Sequence, residues 1–148
     1  MATGSTSQEK SYDTLYNQYK HYFTSEDKRA FAMFGFECGD GWYDILAHLL
    51  EHIDKYITHK YKDQEFQFQI TQIKEKFGIL RFYFDGGDSE IHELVRFAEE
   101  LSSKTCEYCG SNQDIFRSKG WITTACLKCV SGHEHLKGKN WVRISSEG

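Results

Sequence analysis
The sequence predicts an α+β protein with helices packed on a small antiparallel sheet and a C-terminal module organised by cysteines, and three observations carry that expectation. Apolar residues recur at helical spacing over 8–23, 42–58 and 91–101. Between the last two of these, Phe66, Phe68 and Ile70, then Leu80, Phe82 and Phe84, alternate with more polar neighbours at the period of a half-buried strand. In the last third, Cys106 and Cys109, then Cys126 and Cys129, form two CxxC pairs.

Each element follows from its local pattern. The apolar face of 8–23 is Tyr12, Leu15, Tyr16, Tyr19, Tyr22 and Phe23, unusually rich in tyrosine. A tyrosine has an apolar body and a polar tip, which suits either a wet core edge or a partner surface. The polar stretch 24–28 reads as a turn before the apolar Phe31, Met33, Phe34 and Phe36. Cys38-Gly39-Asp40-Gly41-Trp42 breaks that run, with Asp40 placed to cap the helix that follows. Over 42–58, Trp42, Ile45, Leu46, Leu49, Leu50, Ile53, Tyr56 and Ile57 share one arc at about 100° per residue, the strongest helix in the chain. Phe77-Gly78 joins the two strands as a hairpin, and Ile73, out of phase with Ile70, requires a bulge or strand end near Thr71 or Gln72. Asp85-Gly86-Gly87-Asp88-Ser89 is a loop ending in capping residues, and Ile91, Leu94, Val95, Ala98 and Leu101 line the helix after it.

Composition bounds the answer. A chain of 148 residues suits one domain with a small appendage, divided here as a flexible N-terminus over 1–7, an α+β domain over 8–103 and a cysteine module over 104–148. With no apolar stretch near the ~20 residues of a membrane helix and no signal-peptide core, the expectation is a cytoplasmic protein with no membrane partner. Five cysteines, four of them in CxxC pairs, fit a reducing compartment better than a disulfide framework. The net charge of −4 argues against wholesale nucleic-acid binding, but it is unevenly placed. Residues 1–103 hold 11 Lys/Arg and 18 Asp/Glu, whereas 104–148 hold 7 and 4, so the tail alone could face an acidic partner.

The cysteine pattern is the most specific signal. Each CxxC knuckle points two thiolates at a common centre, and four thiolates at about 2.3 Å complete the tetrahedral shell of one zinc ion. A closed shell leaves no position for water, so Cys106, Cys109, Cys126 and Cys129 predict a structural site. Gly110 permits the tight turn after the first knuckle, and Ile115, Phe116, Trp121 and Ile122 form a small hairpin between the knuckles. A zinc ribbon and a treble clef both satisfy that spacing.

Other candidate chemistry is weaker. His48-Leu49-Leu50-Glu51-His52 matches the HxxEH pattern of inverted zinc peptidases, yet no marker identifies a third ligand, and His48, His52 and His59 line one flank of the apolar arc. His133 and His135 are unnecessary beside a complete four-cysteine set. Cys38 reads as a small buried thiol without a base. Asp85 and Asp88 lie in a plain turn, matching neither a P-loop nor an EF-hand.

CGDGWYDIL at 38–46, KEKFGILRFYFD at 74–85, TCEYCG at 105–110 and GWITTACLKC at 120–129 resemble a family of small uncharacterised bacterial and phage proteins, over roughly residues 34 to 130. The resemblance implies a bacterial or phage origin and, from relatives with incomplete knuckles, a structural role for the metal. It carries over no catalytic residue. The expected function is a non-enzymatic, zinc-stabilised protein-interaction module, such as a phage inhibitor of a host defence or nucleic-acid enzyme. Tyr12, Tyr16, Tyr19 and Trp42 are its expected aromatic anchors. The alternatives are a nucleic-acid-binding accessory protein using the basic module and a metallohydrolase using the HxxEH helix.

Overall fold
The structure, a computed structural model, describes residues 11–23 and 35–145. The N-terminus expected to be flexible over 1–7, the helical start expected at residue 8, and Phe31, Met33 and Phe34 lie outside the described residues. Helix α1 (Tyr12–Gln18) starts where the Ser11 hydroxyl accepts the Asp13 N–H at 3.1 Å, and a 3-10 turn (Lys20–Tyr22) extends it. Strand β1 (Phe36–Glu37) leads through a second 3-10 turn (Asp40–Trp42) into helix α2 (Tyr43–Lys60). Strands β2 (Phe68–Lys76) and β3 (Ile79–Gly86) and helix α3 (Ser89–Ser102) follow. The C-terminal part holds β4 (Ile115–Ser118), β5 (Thr124–Cys126), the short helix α4 (Leu127–Gly132), a 3-10 turn (Glu134–Leu136) and β6 (Trp141–Ser145).

β2 and β3 form an antiparallel hairpin closed by Phe77 and Gly78, whose φ angles of 56° and 78° are those of a two-residue turn matched to strand twist. Pairing shifts register between Ile70 and Gln72, and that bulge lets Ile70 and Ile73 both point inward and be fully buried. The sheet is not wholly antiparallel, because β1 adds to β2 in parallel through Phe36 and Glu37. One core joins Leu46, Leu50 and Ile53 of α2 with Ile91 and Val95 of α3 and the inward residues of β2 and β3. A second, separate core holds Ile115, Ala125, Leu136 and three of the cysteines beneath a sheet ordered β5-β4-β6.

Two expectations need correction. Asp40 does not cap α2: a 3-10 turn intervenes, and Trp42 takes the N-cap position without a side-chain bond. Tyr19 and Trp42 are core residues, not surface anchors. The indole of Trp42 is fully buried because its one polar atom, Nε1, is satisfied by the Thr105 carbonyl at 3.0 Å. Tyr12 and Tyr16 are half-buried. The Tyr12 ring stacks on Phe36 at 4.7 Å while its hydroxyl donates to the Gly39 carbonyl at 2.5 Å, and Tyr16 packs on Phe23 at 5.0 Å. Internal acceptors for the phenol tips let this tyrosine-rich segment go inward.

Candidate metal centre
The four predicted ligands converge. All four sulfurs lie within 4.8 Å of one another, and Cys109 Sγ stands 3.6 Å from Cys126 Sγ. A tetrahedron with metal–sulfur bonds of about 2.3 Å has edges of about 3.8 Å, so the cluster fits one such ion. Cys106, Cys126 and Cys129 are buried and Cys109 is exposed. The first pair sits on a tight turn in which Gly110, at φ 86°, donates its N–H to the Cys106 carbonyl. The second pair flanks the start of α4, directly after the β4–β5 hairpin. Knuckle, hairpin and helix in that order make a treble clef.

Charge and hydrogen bonding favour a divalent cation here. Burial pushes the Cys109 and Cys129 thiols up, and at Cys129 a charge on Cys106 adds to it. At Cys126 burial also pushes up, but the Cys129 N–H and the neighbouring thiols outweigh it and hold that thiol low. Such opposed shifts show that four unneutralised thiolates cannot share this space, and a metal supplies the missing charge. The Tyr108 N–H reaches Cys106 Sγ at 3.4 Å, an outer contact that orients the ligand. The group can hold one metal ion such as zinc, with no position left open for substrate.

The knuckles are seated on the first core through residues whose role the sequence did not disclose. Gly41 donates its N–H to the Glu107 carbonyl at 2.7 Å, and Gly39 donates to Glu107 Oε2 at 2.9 Å. A Cβ on Gly39 would stand 2.4 Å from the Glu107 carbonyl oxygen, and one on Gly41 would stand 2.2 Å from that of Cys106. On the other side, Glu107 donates its N–H to the Thr124 carbonyl, and the Thr124 hydroxyl donates to the Gly78 carbonyl at 2.7 Å. Arg117 Nη2 reaches the Ser103 carbonyl at 2.7 Å. The CGDGW turn, the Phe77-Gly78 turn and both knuckles thus meet at one interface.

The remaining candidates do not assemble into a second centre. Among the described residues, the four cysteines are the group of three or more ligand-bearing side chains close enough to hold a metal, and His48 and His52 gather no third ligand. Glu51 pairs with Lys55 at 3.1 Å, while His48 and His52 line an open groove between α2 and α3. His133 and His135 pack around the Tyr108 ring at 5.3 and 5.7 Å. Cys38 is half-buried, and burial pushes its thiol up to about 12, which leaves it un-ionised at neutral pH. Asp88 caps α3. No helix among the described residues is long and apolar enough to cross a membrane. No family model, curated protein or solved structure matches the chain.

The groove itself was missed because Leu94 and Leu101 were assigned to the core arc. Phe97, 63% exposed on the polar side of α3, is the signal that could have found it.

Proposed function
We propose that the protein is a non-enzymatic protein-interaction module braced by one structural zinc ion on Cys106, Cys109, Cys126 and Cys129. The closed thiolate shell supports a structural metal, and its contacts serve to hold the two cores together. The observation that carries the interaction reading is the pair of large apolar side chains, Phe97 and Leu101 at 63% and 42% exposed, beside an open groove. A small acidic chain of this kind suits an inhibitor that covers a surface of another cytoplasmic protein, such as a host bacterial defence or nucleic-acid enzyme met by a phage product. Photo-crosslinkers at Phe97, Tyr16 and Trp121 in the whole chain, expressed in bacterial cells, should give a specific protein adduct. Failure at all three positions would sink the reading.

A second reading has its own support. Trp121 is 81% exposed next to Lys119, on a module whose residues 104–148 carry an excess of three positive charges. An indole beside lysines can stack a nucleic-acid base. Binding to single-stranded DNA that weakens with salt and is lost in Trp121→Ala would favour it.

A further inference from the structure
We propose that the groove between α2 and α3 docks a basic amphipathic helix of a partner protein, an assignment that rests on the interaction reading and names its surface and ligand chemistry. The groove has a volume of about 440 Å³ and is lined by Ile45, Leu49, Leu94, Phe97, Ala98 and Leu101. It is a second apolar face, since α2 and α3 already bury Leu46, Leu50, Ile53, Ile91 and Val95 in the core. Leu94, Phe97 and Leu101 stand at i, i+3 and i+7, a stripe about 10 Å long parallel to a helix axis. A ligand helix meets such a stripe with anchors at the same spacing.

The rim decides the ligand's charge. Advancing about 100° per residue puts Glu90, Glu93 and Glu100 beside the α3 stripe on the side away from the core, with Arg96 farther round. Asp44 and Glu51 edge the α2 side. Against these five carboxylates stand Lys104 and Lys55, and Lys55 is paired with Glu51. A second copy docking by two-fold symmetry would set the same carboxylates against one another, which disfavours self-association. Lysine or arginine flanks on the ligand complement them.

The test uses the full zinc-loaded chain and a library of helical peptides of about 18 residues, five turns long. Leucine is fixed at i, i+3 and i+7, and the flanking positions vary among Lys, Glu and Gln. Lys-flanked peptides should bind roughly tenfold or more tightly than Glu-flanked ones at low salt, with the advantage shrinking as salt rises. Phe97→Glu, at an exposed position, should weaken the best peptide by about tenfold or more. The double change Glu93→Lys and Glu100→Lys should reverse the flank preference, and Tyr16→Ala should leave binding unchanged. Equal binding of Glu-flanked peptides, no retained peptide, or indifference to Phe97→Glu would overturn the groove assignment. Crosslinking at Tyr16 and Trp121 separates that failure from failure of the interaction reading, because an adduct there keeps a partner and moves its site.

Discussion
Gly41 shows how little room a single position can leave. Its neighbours across the gap are backbone atoms, the Cys106 carbonyl oxygen at 2.2 Å and the Glu107 carbonyl group at 2.6 Å from an ideal Cβ, and neither can rotate aside. Alanine would therefore lift the first knuckle from its seat and break the bonds that Gly39, Gly41 and Trp42 make to Thr105 and Glu107. Several buried groups would be left unpaired, at about 1–3 kcal/mol each. We expect Gly41→Ala to cost more than ~2 kcal/mol in chemical denaturation. Gly132, at the end of α4 with nothing within 4 Å of its would-be Cβ, is the control, and Gly132→Ala should be close to neutral. Equal stabilities for the two variants would refute the close-approach argument. Cys38, meanwhile, should resist alkylation at neutral pH, since burial keeps its thiol protonated. Modification as fast as that of a free thiol would contradict the packing around it.

Between elements, one carboxylate links the end of α2 to the start of α3. Asp88 Oδ1 accepts the Ile91 N–H at 3.1 Å as the α3 N-cap, while Oδ2 accepts the hydroxyls of Tyr56 and Tyr61, each at 2.6 Å. Burial raises the Asp88 pKa, but these three donors outweigh it and hold the carboxyl below its ordinary range. The hydrogen bonds to Asp88 are the main reason both phenols are pushed up, to about 12. A depressed carboxylate stabilises above its unfolded pKa, and that contribution disappears as pH falls through the lower folded value. A raised phenol stabilises below about 10, and its contribution disappears as pH rises towards 12. Asp88→Ala should cost about 1 kcal/mol near neutrality and flatten both limbs of the stability–pH curve. An unchanged alkaline limb would show that the tyrosines are not coupled to the cap. The cap at Asp88 and the bulge before Ile73 were legible in the sequence because a capping residue and a slipped period are local signals. The seat under Asp40-Gly41-Trp42 was not, because its reason lies more than sixty residues away at Thr105 and Glu107. Tyr19 and Trp42 misled for the same cause: periodicity finds an apolar face but not which surface covers it.

At the scale of the whole molecule, the four sulfurs were legible from spacing alone, whereas their coupling to the rest of the chain was not. Two cores are present, and the second includes three of the metal ligands among its few buried residues. Structural zinc binding contributes on the order of 10–16 kcal/mol, more than so small a core can supply. The purified chain should therefore contain one zinc ion, and a strong chelator should unfold the module while releasing it. Acidification should do the same, because the ligands must be thiolates and protonation competes with the metal. The effect on the rest of the molecule follows from the seat. Without the knuckles, the amides of Gly39 and Gly41 lose Glu107, the Trp42 indole loses Thr105, and the Gly78 carbonyl loses Thr124. The bonds within the β2–β3 hairpin and along α2 involve no residue of the module. In hydrogen exchange on the stripped protein, Gly41 should become fast while Ile53, Ile73 and Phe82 stay protected. If those core amides exchange together with Gly41, the seat joins both cores into one cooperative unit, and the metal holds the whole fold.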